Sequence, residues 1–81
     1  MKENKVLKIF SQRIKDLREE QGKSLLEIAE NTGISKSALH YYETCQREPS
    51  LSAIIKLSAY YNESIDYLIG ETNNRNIKKG A

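Results

Sequence analysis

The sequence predicts an all-α domain of five helices, and three observations carry that prediction. Apolar residues recur at three- and four-residue spacing in successive short stretches. A serine suited to capping a helix stands just before four of them, at Ser24, Ser35, Ser50 and Ser64. Residues tolerant of positive φ follow where helices should stop, at Gly22, Gly33, Asn62 and Gly70.

In the first stretch, Phe10, Ile14 and Leu17 fall at i, i+4 and i+7, one apolar stripe of a helix that Val6 and Leu7 extend toward the N-terminus. Gly22 stops it. Ser24-Leu25-Leu26-Glu27 is a capping box: the serine hydroxyl accepts from the Glu27 N–H while the Glu27 carboxylate reaches back to the Ser24 N–H. The second helix runs to about Asn31, burying Leu26, Ile28 and Ala29 to varying degrees, and Gly33 ends it. Ser35 caps a third helix that reaches Tyr42 or Glu43. Leu39 and Tyr42 share its inner face. Lys36, His40 and Thr44 lie on another face at i, i+4 and i+8, flanked by Ser37 and Tyr41. Pro49 breaks the chain and Ser50 caps the fourth helix, whose stripe is Leu51, Ile54, Leu57 and Tyr61, with Asn62 at its C-terminal turn. Ser64 caps a short fifth helix from Ile65 to Ile69, stopped by Gly70. Residues 1–70 form the domain. Residues 71–81 are polar and aperiodic and are expected to be a loose tail, in which Lys78 and Lys79 serve as solubilising charges.

At 81 residues, with 38% hydrophobic and 30% charged side chains, the chain suits one soluble globule. No apolar run approaches a membrane span. Met1 to Lys5 offers no hydrophobic export segment and a single Cys forms no internal disulfide, so the expected compartment is the cytoplasm. One His and one Cys cannot build a Cys/His metal cluster; His40 and Cys45, five apart with no third partner, make a poor catalytic or metal pair, and Cys45 is expected to be an inert loop thiol. No enzyme and no cofactor is expected. Thirteen Lys and Arg against eleven Asp and Glu give a net charge of +2. That favours a polyanionic partner only weakly, so the functional reading rests on motif geometry.

The informative stretch is 25–44. Two short helices are joined by Thr32-Gly33-Ile34. A crossing of roughly 90–120° over so tight a turn needs a small residue in the first helix, a glycine in the turn and apolar plugs in the angle. Ala29, Gly33, and the set Ile28, Ile34, Leu39 and Tyr42 meet those needs. This is a helix-turn-helix pattern.

The wider set Arg13-Ile14-Lys15-x-Leu17-Arg18, Ile28-Ala29-Glu30, Gly33-Ile34-Ser35-Lys36-Ser37, Tyr42-Glu43, Pro49-Ser50-Leu51 and Ile65-Asp66-Tyr67-Leu68-Ile69-Gly70 matches in order and spacing. Over about residues 8–70 it closely resembles the Cro/repressor-type (Xre-type) DNA-binding domain. The resemblance implies a compact five-helix domain whose second and third helices bind duplex DNA, as a homodimer on a near-palindromic operator. Two residues depart from the family's pattern. Leu25 stands where a Gln is usual, leaving a backbone N–H for phosphate. Cys45 stands where Gly is favoured, and a non-Gly residue in a left-handed cap costs on the order of 1 kcal/mol.

The expected DNA-binding residues are therefore Leu25, Ser35, Lys36, Ser37, His40, Tyr41, Thr44, Gln46 and Arg47, with the recognition helix over 35–43 in the major groove. Lysine reaches guanine O6 and N7, and serine bonds several bases. Thr44, Gln46 and Arg47 are implied phosphate contacts. Ile55, Tyr60, Tyr67 and Ile69 give the fourth and fifth helices more apolar surface than they can hide, which suggests a dimer patch there; Val6 and Leu7 are the alternative. The function read from these residues is a sequence-specific DNA-binding transcription regulator, a repressor in sign. A protein-interaction module on the same fold, with a regulatory protein as partner, and the DNA-binding antitoxin of a toxin–antitoxin pair are the competing readings.

Overall fold

The computed structural model describes the backbone of residues 2–75 and the side chains of residues 5–75. Lys78 and Lys79 lie outside the described residues. Five helices follow one another: α1 (Lys2–Glu20), α2 (Leu25–Thr32), α3 (Lys36–Glu43), α4 (Leu51–Tyr61) and α5 (Ile65–Ile69). All four serines act as N-caps, each accepting from the backbone N–H three residues on, and the Ser24–Glu27 capping box is reciprocal. Helix ends fall where left-handed residues were expected: Gly33 closes α2, Asn62 α4 and Gly70 α5.

The core joins Phe10, Ile14 and Leu17 of α1 to Ile28 and Ile34 around the α2–α3 turn, Leu39 and Tyr42 of α3, Ala53, Leu57 and Tyr61 of α4, and Leu68 of α5. α1 packs on α3 and α5, and α2 packs on α3 and α4. Gly70 also lets α5 end hard against α1: a Cβ there would stand 2.9 Å from Ile9 Cδ1, in a backbone with φ of +88°.

Three details depart from the sequence expectations. On α4 the buried line is Ala53, Leu57 and Tyr61, whereas Leu51 is 71% exposed. Leu51 lies two residues before Ala53, about 200° around the helix, so it faces outward beside Ile55, which is 51% exposed. On α2, Leu25 packs against the core and Leu26 is 53% exposed, the reverse of the expected order. Residues 71–75 are not a loose tail. Arg13 Nη1 donates to the Tyr67 carbonyl and, at 2.9 Å, to that of Thr72, while Nη2 donates to Asn73 Oδ1 at 2.7 Å. Arg75 donates to the buried Glu63 carboxylate and, at 3.1 Å, to Glu20. A polar segment without periodicity is thus fastened to α1 by partners 55 to 60 residues away, and to Glu63, which no local pattern reveals.

After α3 the chain closes in a Schellman motif. The Gln46 N–H donates to the Tyr41 carbonyl at 2.9 Å and the Cys45 N–H to that of Tyr42 at 3.4 Å. Cys45 supplies the left-handed residue, with φ of +63°. The loop therefore keeps the geometry that glycine would give it, at the steric cost of a Cβ. Cys45→Gly should raise stability by about 1 kcal/mol, read as a higher urea midpoint at unchanged slope; an unchanged or lower midpoint would show the cap to be unstrained.

Candidate nucleic-acid interface

The α2–turn–α3 unit is assembled from short-range chemistry. Gly33, at φ of +79°, donates its N–H to the Ala29 carbonyl at 2.9 Å. The Thr32 hydroxyl donates to the Ile28 carbonyl at 2.7 Å and accepts from the Ile34 N–H at 3.2 Å. Ile34 then plugs the angle, and the Ser35 hydroxyl, accepting from the Ala38 N–H at 3.0 Å, starts α3.

Leu39 and Tyr42 anchor the inner face of α3, both buried. Lys36, Ser37 and His40 are exposed on its outer face, and Thr44 continues that line into the cap. Thr44 Oγ1 donates to the His40 carbonyl at 2.8 Å and accepts from Gln46 Nε2 at 2.7 Å. Gln46 and Arg47 are exposed beside them. Tyr41 differs from the rest of the expected reading face. It is half-buried, with the Arg47 guanidinium 4.8 Å from its ring centroid and the His40 ring tilted against it at 5.6 Å. Leu25 turns its side chain to the core, so only its backbone stands at the head of α2, ahead of the first intrahelical bond from the Ile28 N–H to the Ser24 carbonyl.

α3 is braced from behind by a pair that sequence spacing does not suggest. Arg18 on α1 grips the Glu43 carboxylate in both oxygens, Nε to Oε2 at 2.7 Å and Nη2 to Oε1 at 2.9 Å. Its Nη1 also donates to the Lys23 carbonyl at 3.0 Å, tying the loop before α2 into the same clamp. The Glu43 side chain is only 7% exposed. Nearby, burial first and the Glu43 charge second push the Tyr61 hydroxyl above its ordinary pKa. Arg18 and Glu43 are 25 residues apart. Their one sequence signal is that both fall within the matched family positions.

Among the residues expected at a dimer patch, two are half-buried against neighbouring side chains. Tyr60 packs against the core with its ring edge-on to Tyr61, and Tyr67 lies under Arg13 and Arg75, with guanidinium carbons 4.2 and 5.5 Å from its centroid. Ile55 remains exposed. Ile69 lines a groove of about 340 Å³ with Val6, Leu7, Phe10, Pro49 and Ile54. Among the described residues, no group of three or more His, Cys, Asp or Glu side chains is placed to hold a metal ion. No described helix is long and apolar enough to cross a membrane.

A helix-turn-helix family profile matches residues 14–68. The chain belongs to the Xre-type helix-turn-helix family. This Xre-type domain is 41% identical over 64 residues to the HTH-type transcriptional regulator SinR of Bacillus subtilis, a match covering 78% of this chain and 58% of SinR. It is 38% identical over 62 residues to the HTH-type transcriptional regulator ImmR of the same species, covering 76% of this chain and 49% of ImmR. The chain thus spans about half the length of these regulators. Among solved structures it resembles the restriction-modification controller protein C.AhdI from Aeromonas hydrophila, with a TM-score of 0.71 and 32% identity, covering 76% of this chain and 94% of that one.

Proposed function

We propose that this domain binds double-stranded DNA sequence-specifically and regulates transcription, with α3 in the major groove. The observation that carries this reading is the exposed outer face of α3. Lys36, Ser37 and His40 point away from the core on a helix whose opposite side is fixed by Leu39, Tyr42 and the Arg18–Glu43 clamp. These three are the base-reading residues. The phosphate contacts are the backbone N–H of Leu25 at the head of α2, the Ser35 hydroxyl, and Thr44, Gln46 and Arg47 after α3. A domain gripping groove and backbone together occludes an overlapping promoter, and this is the basis for reading the regulation as repression. Affinity should therefore depend steeply on salt. Counterion release follows the cationic groups, Arg47 and Lys36 from each protomer, so a dimer should give a log–log slope of about −4. Affinity that stays flat between low and physiological salt on every duplex would contradict the reading and favour a protein-interaction module.

The operator reading calls for a two-fold dimer with recognition helices ~34 Å apart on a near-palindrome. Tyr60 and Tyr67 being half-buried, the interface draws on exposed Leu51 and Ile55 on the outer side of α4, with Val6 and the half-buried Ile69 at the groove beside it. Sedimentation at micromolar concentration should show a dimer that Leu51→Glu converts to monomer with its helical circular-dichroism spectrum unchanged. A wild-type monomer on operator-length DNA, or a dimer indifferent to Leu51→Glu and Ile55→Glu, would refute this interface.

A further inference from the structure

Tyr41 holds the loop after α3 in two ways. Its carbonyl accepts the Gln46 N–H at 2.9 Å, and its ring lies beneath the Arg47 guanidinium at 4.8 Å. Residues six apart cannot meet as neighbours along a helix. They meet here because Cys45, in the left-handed region, turns the chain back across the end of α3. The ring is half-buried between Arg47 and His40, while Arg47 itself is exposed.

A guanidinium held over a ring still has N–H donors turned away from it. An arginine held this way has less rotamer freedom to lose when it grips an anion than one moving in solvent. From this geometry we infer that Tyr41 is a positioning residue: it presets Arg47 for a DNA phosphate and does not read a base. The inference rests on the DNA-binding reading above. It assigns Tyr41 a different job from Lys36, Ser37 and His40, although the residues are neighbours on the helix.

The stack is tested first without DNA. In the free protein, the Arg47 δ-methylene protons should resonate upfield through the ring current of Tyr41. The shift should persist in Tyr41→Phe and vanish in Tyr41→Leu. A wild-type shift at the random-coil position overturns the inference. The role is tested by titrating a selected site and a scrambled duplex. Tyr41→Phe should bind both as the wild type does. Tyr41→Leu should weaken both by the same factor, about two- to fivefold per protomer. That loss should disappear in an Arg47→Gln background. If Tyr41→Phe changes base preference, or the Tyr41→Leu loss survives without Arg47, Tyr41 contacts bases and the inference is wrong. If the wild type binds neither duplex even at low salt, the DNA reading itself has failed and the inference falls with it. Failure with wild-type binding intact is failure of the inference alone.

Discussion

Arg18→Ala should bring the domain to the edge of unfolding. The substitution strips both hydrogen bonds from a Glu43 carboxylate that is 7% exposed, and frees the Lys23 carbonyl as well. Breaking a buried pair by removing one partner costs about 3–5 kcal/mol, because the remaining charge loses its counterion while largely shielded from water. A domain of this size has roughly 4–12 kcal/mol in total. At about 4–8 °C per kcal/mol, the melting temperature should fall by tens of degrees. Replacing both partners by apolar residues, Arg18→Met with Glu43→Leu, should recover most of the loss. A single mutant that melts within a few degrees of the wild type would show the clamp to be solvated and unimportant for holding α3.

Leu39→Ala should be comparably damaging, and its neighbours on the same helix should not. Leu39 is 2% exposed in the centre of the core, so truncation leaves a cavity and costs about 2–5 kcal/mol. Lys36 is exposed, and Lys36→Ala should stay within about ±0.5 kcal/mol in thermal melting. Binding should invert that order. Lys36→Ala should lose ~1–3 kcal/mol on the specific site if it reads a base, and should also weaken binding to a scrambled duplex because a positive charge is removed. If Lys36→Ala melts the protein while Leu39→Ala leaves it intact, α3 is rotated from the phase described here.

The helices were legible because their signals are local. Ser24 with Glu27, Ser35, Ser50 and Ser64 start helices through bonds three residues long, and Gly33, Asn62 and Gly70 end them through a backbone conformation available at those residues. The outer face of α3 was legible for the same reason, since Lys36, Ser37 and His40 follow from helical phase once Leu39 and Tyr42 are buried. What sequence reasoning missed is set by tertiary geometry. The phase of α4 depends on which side meets α2, and that choice buried Ala53 and exposed Leu51. The Arg18–Glu43 clamp and the fastening of residues 71–75 by Arg13, Glu20 and Glu63 join groups far apart in the chain. Tyr41 was expected on an exposed face because helical phase places it there. The Schellman turn at Cys45, which swings Arg47 over its ring, has no signature at residue 41.

Selection of bound duplexes from a random pool, run with the wild type and with Lys36→Ala, tests the central claim most directly. The account predicts that the wild type enriches one near-palindromic sequence, with half-sites separated by one helical turn of ~34 Å. It predicts that Lys36→Ala, folded to the same melting temperature, relaxes the preference at symmetric positions in both halves and leaves the rest of the site unchanged. A pool that stays random with the wild type, or a Lys36→Ala site identical to the wild-type one, would contradict recognition through the outer face of α3.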